Sequence, residues 1–151
     1  MRFILVDRIV SLKPGIEIVA EKTLPASLEI FNDHFPGFPV VPGVLLTEMM
    51  AQAVGKCLDT ENANRGKAML ARIKSASFHA WVRPDEKAVI EASITSSHEQ
   101  FATAACFISV NDRKVCNSEL FFSFAPNDLF ADGYFDKVLE AYMNKRMLTM
   151  E

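Results

Sequence analysis

A segment crowded with proline and glycine, followed at once by a long apolar segment, restricts the fold more than any other feature of this sequence. Residues 32–43 contain three prolines and two glycines, a density that no regular helix or strand tolerates. Residues 44–58 contain no proline and are rich in Leu, Met and Ala, which predicts a helix that begins just after Pro42. Apolar residues occupy most of its circumference, so we expect a buried helix rather than a surface one.

Runs of β-branched and aromatic residues predict about six strands around this helix. The later runs are joined by short polar turns, which favours an antiparallel meander, and Ile90, Ala92 and Ile94 alternate with polar residues. We therefore predict an α+β fold in which a curved antiparallel sheet wraps around one long buried helix. A helix lying flat across an open sheet is the alternative, and it would leave one apolar helix face exposed. The predicted strands cover residues 3–10, 16–24, 67–78, 88–96, 101–110 and 114–124.

The last part of the chain predicts a further helix. Residues 133–148 place apolar side chains at helical spacing, which is typical of an amphipathic helix. The side chains concerned are Phe135, Val138, Leu139, Tyr142 and Met143. We expect a domain over residues 1–125 and a helical C-terminal extension over residues 126–151.

Composition excludes several classes of protein. The 151 residues carry 16 Lys and Arg against 19 Asp and Glu, without the basic surplus that nucleic-acid-binding proteins show. No apolar run reaches the ~18 residues that a transmembrane helix needs, and residues 1–8 do not have the form of a secretory signal. The three cysteines lack metal-ligand spacing, so we expect reduced, buried thiols and no metal site. A single-domain cytoplasmic protein is the interpretation that remains.

His34 and Glu48 are the residues with the most evident chemical potential. His34 lies in the proline-rich loop between aromatic residues, and an imidazole with apolar surroundings stays neutral near pH 7, as a general base requires. Burial of a carboxylate in an apolar helix costs folding free energy unless the group is paired, hydrogen-bonded or protonated. Glu48 shares one helix face with Gln52 and Lys56, and we expect Glu48 to be buried and Lys56 to reach water. The alternative is that Glu48 lies on a solvent-exposed edge of the helix and pairs with a neighbouring lysine.

Gly43 adds a possible oxyanion donor. It lies in the first turn of the predicted helix, where backbone N–H groups lack intrahelical partners. A neutral histidine, an acid and such an N–H group together suit removal of a proton next to a carbonyl. His79 and His98 are expected to be surface or structural residues.

The fifteen residues from His34 to Glu48 resemble the signature of the FabZ-type 3-hydroxyacyl-[acyl-carrier-protein] dehydratases, H-F-P-G-x-P-x-x-P-G-V-x-x-x-E. The segment reads HFPGFPVVPGVLLTE, and Gln52 matches the glutamine one turn beyond the acid. The resemblance covers roughly residues 3–125. Related bifunctional dehydratase–isomerases carry Asp at the acid position, so Glu48 favours the FabZ type.

This resemblance implies a hotdog fold and a homodimer whose active sites pair the His of one subunit with the Glu of the other. His34 would remove the α-proton of a (3R)-hydroxyacyl thioester, the Gly43 amide would hold the thioester oxygen, and Glu48 would protonate the departing hydroxyl. Gln52 would orient Glu48, and no metal or organic cofactor is required. The partner would be an acyl carrier protein with a phosphopantetheine-linked acyl chain, in fatty acid or related acyl-chain biosynthesis. The expected substrate loop or tunnel consists of Phe35, Pro36, Gly37, Phe38 and Val44.

Two departures and two alternatives accompany this interpretation. Asp33 stands where the family usually has Gly, and a carboxylate beside His34 would favour the charged imidazole. The C-terminal extension would cap the acyl tunnel or alter oligomer packing.

Alternative functions are a hotdog acyl thioesterase, which would release free thiol, and a non-catalytic acyl-binding subunit. Arg72, Lys74 and Arg83 are candidates for docking an acidic carrier protein, or else scattered surface charges.

Overall fold

A six-stranded antiparallel sheet and one long helix form the core of the computed structural model, which describes residues 1–60, 63–131 and 136–149. The strand order across the sheet is β1-β2-β4-β5-β6-β3. The strands are β1 (Arg8–Lys13), β2 (Glu17–Thr23), β3 (Lys67–Phe78), β4 (Lys87–Ser97), β5 (Phe101–Val110) and β6 (Arg113–Ala125). The helices are α1 (Ile30–Asp33), α2 (Gly43–Asp59) and α3 (Lys137–Thr149), with short 3₁₀ turns at Ala63–Arg65 and Asn127–Leu129.

The long helix α2 is buried against the concave face of the sheet, as its composition predicts. It packs against five strands, β2 to β6, and side chains such as Met49, Met50 and Leu58 are almost completely removed from solvent. Each such side chain contributes about 1.5–3 kcal/mol to folding through burial. The sheet therefore wraps the helix, and the flat arrangement is wrong. Val44, at the start of the helix, remains 77% exposed.

Two predicted features of the sheet are wrong. The first strand begins at Arg8 and not at residue 3, because the Leu5 N–H is bonded to a side chain of α2 instead of a neighbouring strand. Only β4, β5 and β6 form the meander. Among the described strands, β3 pairs only with β6 and lies at the edge of the sheet, because β2 already pairs with β4.

The edge strand β3 is unusually exposed for an apolar strand. Residues 69–78 are all exposed, including Met69, Ile73 and Phe78. Neighbouring exposed apolar residues in the N-terminal segment are Phe3 and Ile4. A long, apolar, unpaired edge is a ready template for pairing with another strand.

The C-terminal helix α3 packs against β1 and lies within the predicted extension. Val138, Leu139 and Tyr142 are partly buried against the core, as their spacing predicts. Met143 is 42% exposed and does not belong to the buried face. Phe135 lies outside the described residues.

Burial has a clear chemical effect on the cysteines. Cys57, Cys106 and Cys116 are buried and form no disulfide with one another, in agreement with the prediction of buried thiols. Burial raises the pKa of Cys106 to about 12 and that of Cys116 to about 11, so both thiols stay protonated and unreactive near neutral pH. None of the described helices is long and apolar enough to cross a membrane.

Candidate functional site

His34 ends the short helix α1 and is held through its backbone. Its N–H donates to the carbonyl oxygen of Ile30 at 2.9 Å, and its own carbonyl oxygen accepts the N–H of Val40 at 3.0 Å. The imidazole is half-buried and stacks on the Phe35 ring, with the centroids 3.9 Å apart. Asp33 is exposed, and no hydrogen bond or ion pair between these two described residues joins its carboxylate to His34. The imidazole is therefore fixed in place with an apolar ring on one face.

The loop after His34 is a closed turn. Phe35 and Phe38 exchange backbone hydrogen bonds of 3.1 and 2.9 Å around Pro36 and Gly37. Gly37 has a φ of +79°, a conformation that glycine adopts without the Cβ clash of other residues. The sequence predicts a loop with one defined path, and this turn is that path.

Arg83 fastens the same loop to the sheet side of the molecule. Its Nε donates to the carbonyl oxygen of Pro39 at 2.7 Å, and its guanidinium lies 4.2 Å from the Phe38 ring centroid. Phe38 in turn meets Trp81 edge-on at 5.0 Å. Arg83 therefore has a structural role in the loop, which lowers its value as a free docking charge.

The N-terminus of α2 presents a backbone N–H at Gly43. Pro42 is the N-cap and supplies no side-chain acceptor, and no acceptor for the Gly43 N–H is found within the described residues. The Phe78 ring covers this position, since a Cβ placed on Gly43 would lie 3.2 Å from it. A larger residue at position 43 would therefore require a shift of the Phe78 ring. Sequence reasoning gave no role to Phe78 here.

Glu48 is half-buried and is oriented by Gln52. The Gln52 side-chain amide donates to Oε1 of Glu48 and to the carbonyl oxygen of Phe3, both at 3.2 Å. The carbonyl oxygen of the same side chain accepts the Leu5 N–H at 2.8 Å. Because a backbone N–H can only donate, this last bond fixes which end of the amide faces Glu48. Glu48 is therefore only partly buried, whereas the sequence predicts a buried side chain. The backbone of residues 3–5 holds the Gln52 side chain in place, which the sequence did not reveal.

A cavity of about 590 Å³, here called the Glu48 cavity, opens beside this carboxyl. It follows α2 past Gln52 and Gly55 to Lys56. Lys56 is buried and forms an ion pair of 2.5 Å with Asp136, so the expectation that Lys56 reaches water is wrong. Burial raises the pKa of Asp136, but the Lys56 ammonium and two backbone N–H groups outweigh it and hold that pKa below its ordinary value.

A second cleft of about 770 Å³, here called the aromatic cleft, is lined in part by Phe38 of the proline-rich loop. Trp81 is 70% exposed there, and two arginines border it. Its lining consists of Phe38, Phe78, His79, Ala80, Trp81, Arg83, Glu86 and Arg113.

The predicted site residues divide between these places. Glu48 and Gln52 line the Glu48 cavity, and Phe38 lines the aromatic cleft, whereas His34, Phe35, Gly37 and Val44 line neither. Within one chain the candidate base and the candidate acid therefore do not face a common cavity. Among the described residues, no group of three or more His, Cys, Asp and Glu side chains is placed to hold a metal ion.

Residues 11–119 match the ApeI-like family, described as ApeI dehydratase. The 3-hydroxyacyl-[acyl-carrier-protein] dehydratase FabZ of Listeria monocytogenes serotype 4b is 38% identical over 122 residues, which are 80% of this chain and 85% of the relative. The enzyme of the same name from Bacillus pumilus is 34% identical over 125 residues, 82% of this chain and 87% of the relative.

Solved structures share the arrangement of sheet and helix. The TT0310 protein of Thermus thermophilus superposes with a TM-score of 0.61 at 17% identity, over 78% of this chain and 91% of that one. The dehydratase heterocomplex ApeI:P of Xenorhabdus doucetiae gives a TM-score of 0.57 at 14% identity, over 76% and 96% of the two chains. At these identities the likeness establishes the fold, which is the expected hotdog fold with an open six-stranded sheet. The sequence relatives show that this chain belongs to the FabZ-type 3-hydroxyacyl-[acyl-carrier-protein] dehydratase family.

Proposed function

We propose that this chain dehydrates (3R)-hydroxyacyl groups on acyl carrier protein to trans-2-enoyl groups, in fatty acid or related acyl-chain biosynthesis. The observation that carries the proposal is the Glu48 carboxyl, oriented by the Gln52 amide at the mouth of the Glu48 cavity. Relatives named as dehydratases of this kind support it over most of the chain.

The chemistry divides between a base, an acid and an oxyanion donor. The His34 imidazole takes the α-proton, and the electron pair of that C–H bond becomes the new double bond. The bond between C3 and its hydroxyl oxygen breaks while Glu48 gives its proton to that oxygen, so that water leaves. A well-placed base or acid contributes about 10²–10⁴-fold to the rate.

The Gly43 N–H is the proposed donor to the thioester oxygen. Negative charge develops there as the α-proton leaves, and a preorganised donor is worth about 10²–10³-fold. The N-terminus of α2 adds the positive end of the helix dipole. Phe35, Pro36, Gly37, Phe38 and Val44 form the loop and helix start around this substrate position.

A complete site requires a second copy of the chain. His34 and Glu48 of one chain do not share a cavity, and the exposed apolar strand β3 offers an edge for symmetric antiparallel pairing. Pairing of two β3 strands would bring a second subunit against the Glu48 cavity, because Met69 and Leu70 of β3 line it. We propose a homodimer with His34 from one subunit and Glu48 from the other.

The carrier protein is proposed to reach the site through the aromatic cleft. Trp81 supplies an apolar surface for the pantetheine arm, and the exposed Arg113 supplies a cation for its phosphate or for an acidic carrier surface. Arg72 and Lys74 lie on β3, in the strand assigned to the dimer, so they are weaker docking candidates than Arg113.

Subunit mixing tests this proposal. Purified protein with a 3-hydroxyacyl carrier protein should yield an enoyl product, and His34→Ala or Glu48→Gln alone should lower kcat about 10²–10⁴-fold. When the two variants are unfolded and refolded together, mixed dimers contain one site with both residues. We expect recovery of about a quarter of wild-type activity.

The matched control mixes His34→Ala with the His34→Ala/Glu48→Gln double variant, which leaves no His34 in any site. Activity should then stay at the level of the inactive variants. No recovery in the first mixture would contradict a shared site. Release of free thiol without enoyl product would instead identify a thioesterase, and binding without conversion an acyl-binding subunit.

A further inference from the structure

The Glu48 cavity continues well beyond the reacting groups. From Glu48 to Gly55 the helix rises by about 10 Å at 1.5 Å per residue, and the cavity follows it throughout. A Cβ built on Gly55 meets no atom within 4 Å, so the helix leaves open space at this point. Arg2, Lys67 and Lys137 contribute charged side chains to the lining. The apolar part of the lining consists of Phe3, Ile4, Ala51, Ala68, Met69, Leu70, Phe122 and Val138.

The far end of the cavity is a polar wall formed by charged side chains. Lys56 of α2 and Asp136 form an ion pair across 80 residues of sequence, and both side chains are largely buried. The second carboxylate oxygen of Asp136 accepts the N–H groups of Val138 and Leu139 at 3.0 and 3.1 Å. Asp136 therefore caps α3 and binds Lys56 at the same time, which fixes the C-terminal helix against the end of the cavity.

An alkyl chain that extended between Lys56 and Asp136 would have to separate the two charges. Breaking a buried pair leaves each charge without its partner in a poorly solvated place, and a methyl end offers no compensating hydrogen bond. Contact of an alkyl chain with α2 is therefore favourable as far as the Lys56–Asp136 pair and unfavourable beyond it.

We propose that Gly55 and the Lys56–Asp136 pair set the length limit of the acyl group, so that medium-length chains fit and long chains do not. This inference rests on the proposed dehydratase function. It gives the C-terminal helix a definite role as the end wall of the acyl-binding cavity. The chemical class of substrate is a medium-length 3-hydroxyacyl thioester without a polar end group.

The test compares kcat/KM for 3-hydroxybutyryl, 3-hydroxydecanoyl and 3-hydroxyhexadecanoyl carrier proteins. Wild-type protein should prefer the decanoyl substrate. Gly55→Leu fills the open space on α2, and each excluded methylene group costs about fourfold, so the ratio of decanoyl to butyryl should fall at least about tenfold.

A second variant opens the wall. Lys56→Ala with Asp136→Asn removes both charges together and keeps a side chain able to cap α3. The ratio of hexadecanoyl to decanoyl should rise at least about tenfold. The control neutralises an exposed pair of 3.2 Å at the β1–β2 turn, with Lys13→Met and Glu17→Gln, and should keep the wild-type ratios.

Wild-type ratios in both cavity variants, with folding verified by thermal melting, would overturn the inference while the proposed function stands. If wild-type protein dehydrates none of the substrates, the proposed function fails. Calorimetric binding of decanoyl and butyryl carrier proteins then decides the inference. Tighter binding of the decanoyl form that is lost in Gly55→Leu supports it, and equal affinities contradict it.

Discussion

Gln52 joins Glu48 to the N-terminal segment of the chain. Its amide nitrogen donates to Glu48 Oε1 at 3.2 Å, and its carbonyl oxygen accepts the Leu5 N–H at 2.8 Å. The backbone of residues 3–5 thus determines which atom of Gln52 faces the carboxyl. In the proposed mechanism Gln52 is a positioning residue, because it acts on the substrate only through Glu48.

Replacement of Gln52 by Ala should lower kcat with little change in KM. The carboxyl loses the donor that orients it, and misplacement of a reacting group by about 1 Å costs up to roughly 10²-fold. We expect a decrease of roughly tenfold to a hundredfold, measured as enoyl formation at saturating carrier substrate. Gln100→Ala, in an exposed turn, is the control. An increase in KM without loss of kcat would contradict the positioning role.

Ile73→Lys should prevent assembly of the dimer. Ile73 is 50% exposed on the edge strand β3, and symmetric pairing of two such strands would bring equal charges together in an apolar interface. The variant should sediment as a monomer in analytical ultracentrifugation and lose its activity, because the proposed site combines residues from two subunits.

The other edge of the sheet provides the matched control for this variant. Val10 lies on β1, is 43% exposed and receives the same change in Val10→Lys. This variant should remain dimeric and active. Loss of the dimer in both variants, or in neither, would contradict the assignment of β3 as the interface.

Most of the fold follows from local sequence patterns. The proline- and glycine-rich loop and the apolar segment after it predict the central helix within one residue at each end. The strands of the second half agree closely with their sequence patterns. The position of β3 could not be predicted, because strand order depends on which strands pair across the sheet. The short helix α1 was missed because four residues carry no periodicity that can be recognised.

The candidate residues of the site come from the sequence, whereas their surroundings come from the structure. The spacing from His34 to Glu48 and the match to a family signature identify the chemical groups. The burial of Lys56 could not be predicted, because its partner Asp136 is 80 residues away in the sequence. No local pattern encodes that contact. The same holds for the backbone of Phe3 and Leu5 around Gln52.

Gly66→Ala should destabilise the protein markedly. Gly66 has a φ of +105°, and a Cβ there would lie 2.3 Å from the carbonyl oxygen of Ala125. Strained backbone and the clash together should cost about 2–4 kcal/mol, or roughly 5–12 °C in Tm. The control is Gly55→Ala, where the added Cβ meets open space and helix propensity favours alanine by about 0.5–1 kcal/mol. Similar melting temperatures for both variants would contradict the prediction.

In the acid range, the free energy of unfolding of Asp136→Asn should depend less on pH than that of the wild type. The pKa of Asp136 lies below its ordinary value of 3.8, because Lys56 and the backbone N–H groups of Leu139 and Val138 outweigh the opposing effect of burial. A carboxyl whose pKa is lowered by folding stabilises the protein fully above its unfolded pKa. That contribution is lost as the pH falls through the folded pKa.

The free energy of unfolding of Asp136→Asn should therefore be lower than that of the wild type at pH 7, and the difference should shrink as the pH falls below 3.8. Breaking a fully buried pair costs about 3–5 kcal/mol, and the partial exposure of this one lowers the expected difference to about 2 kcal/mol. Urea unfolding at a series of pH values measures it. Glu17→Gln breaks an exposed pair with Lys13 and should change stability by less than about 1 kcal/mol. A difference for Asp136→Asn that stays constant down to pH values well below 3.8 would show that the Lys56–Asp136 charge interaction does not hold α3 in place.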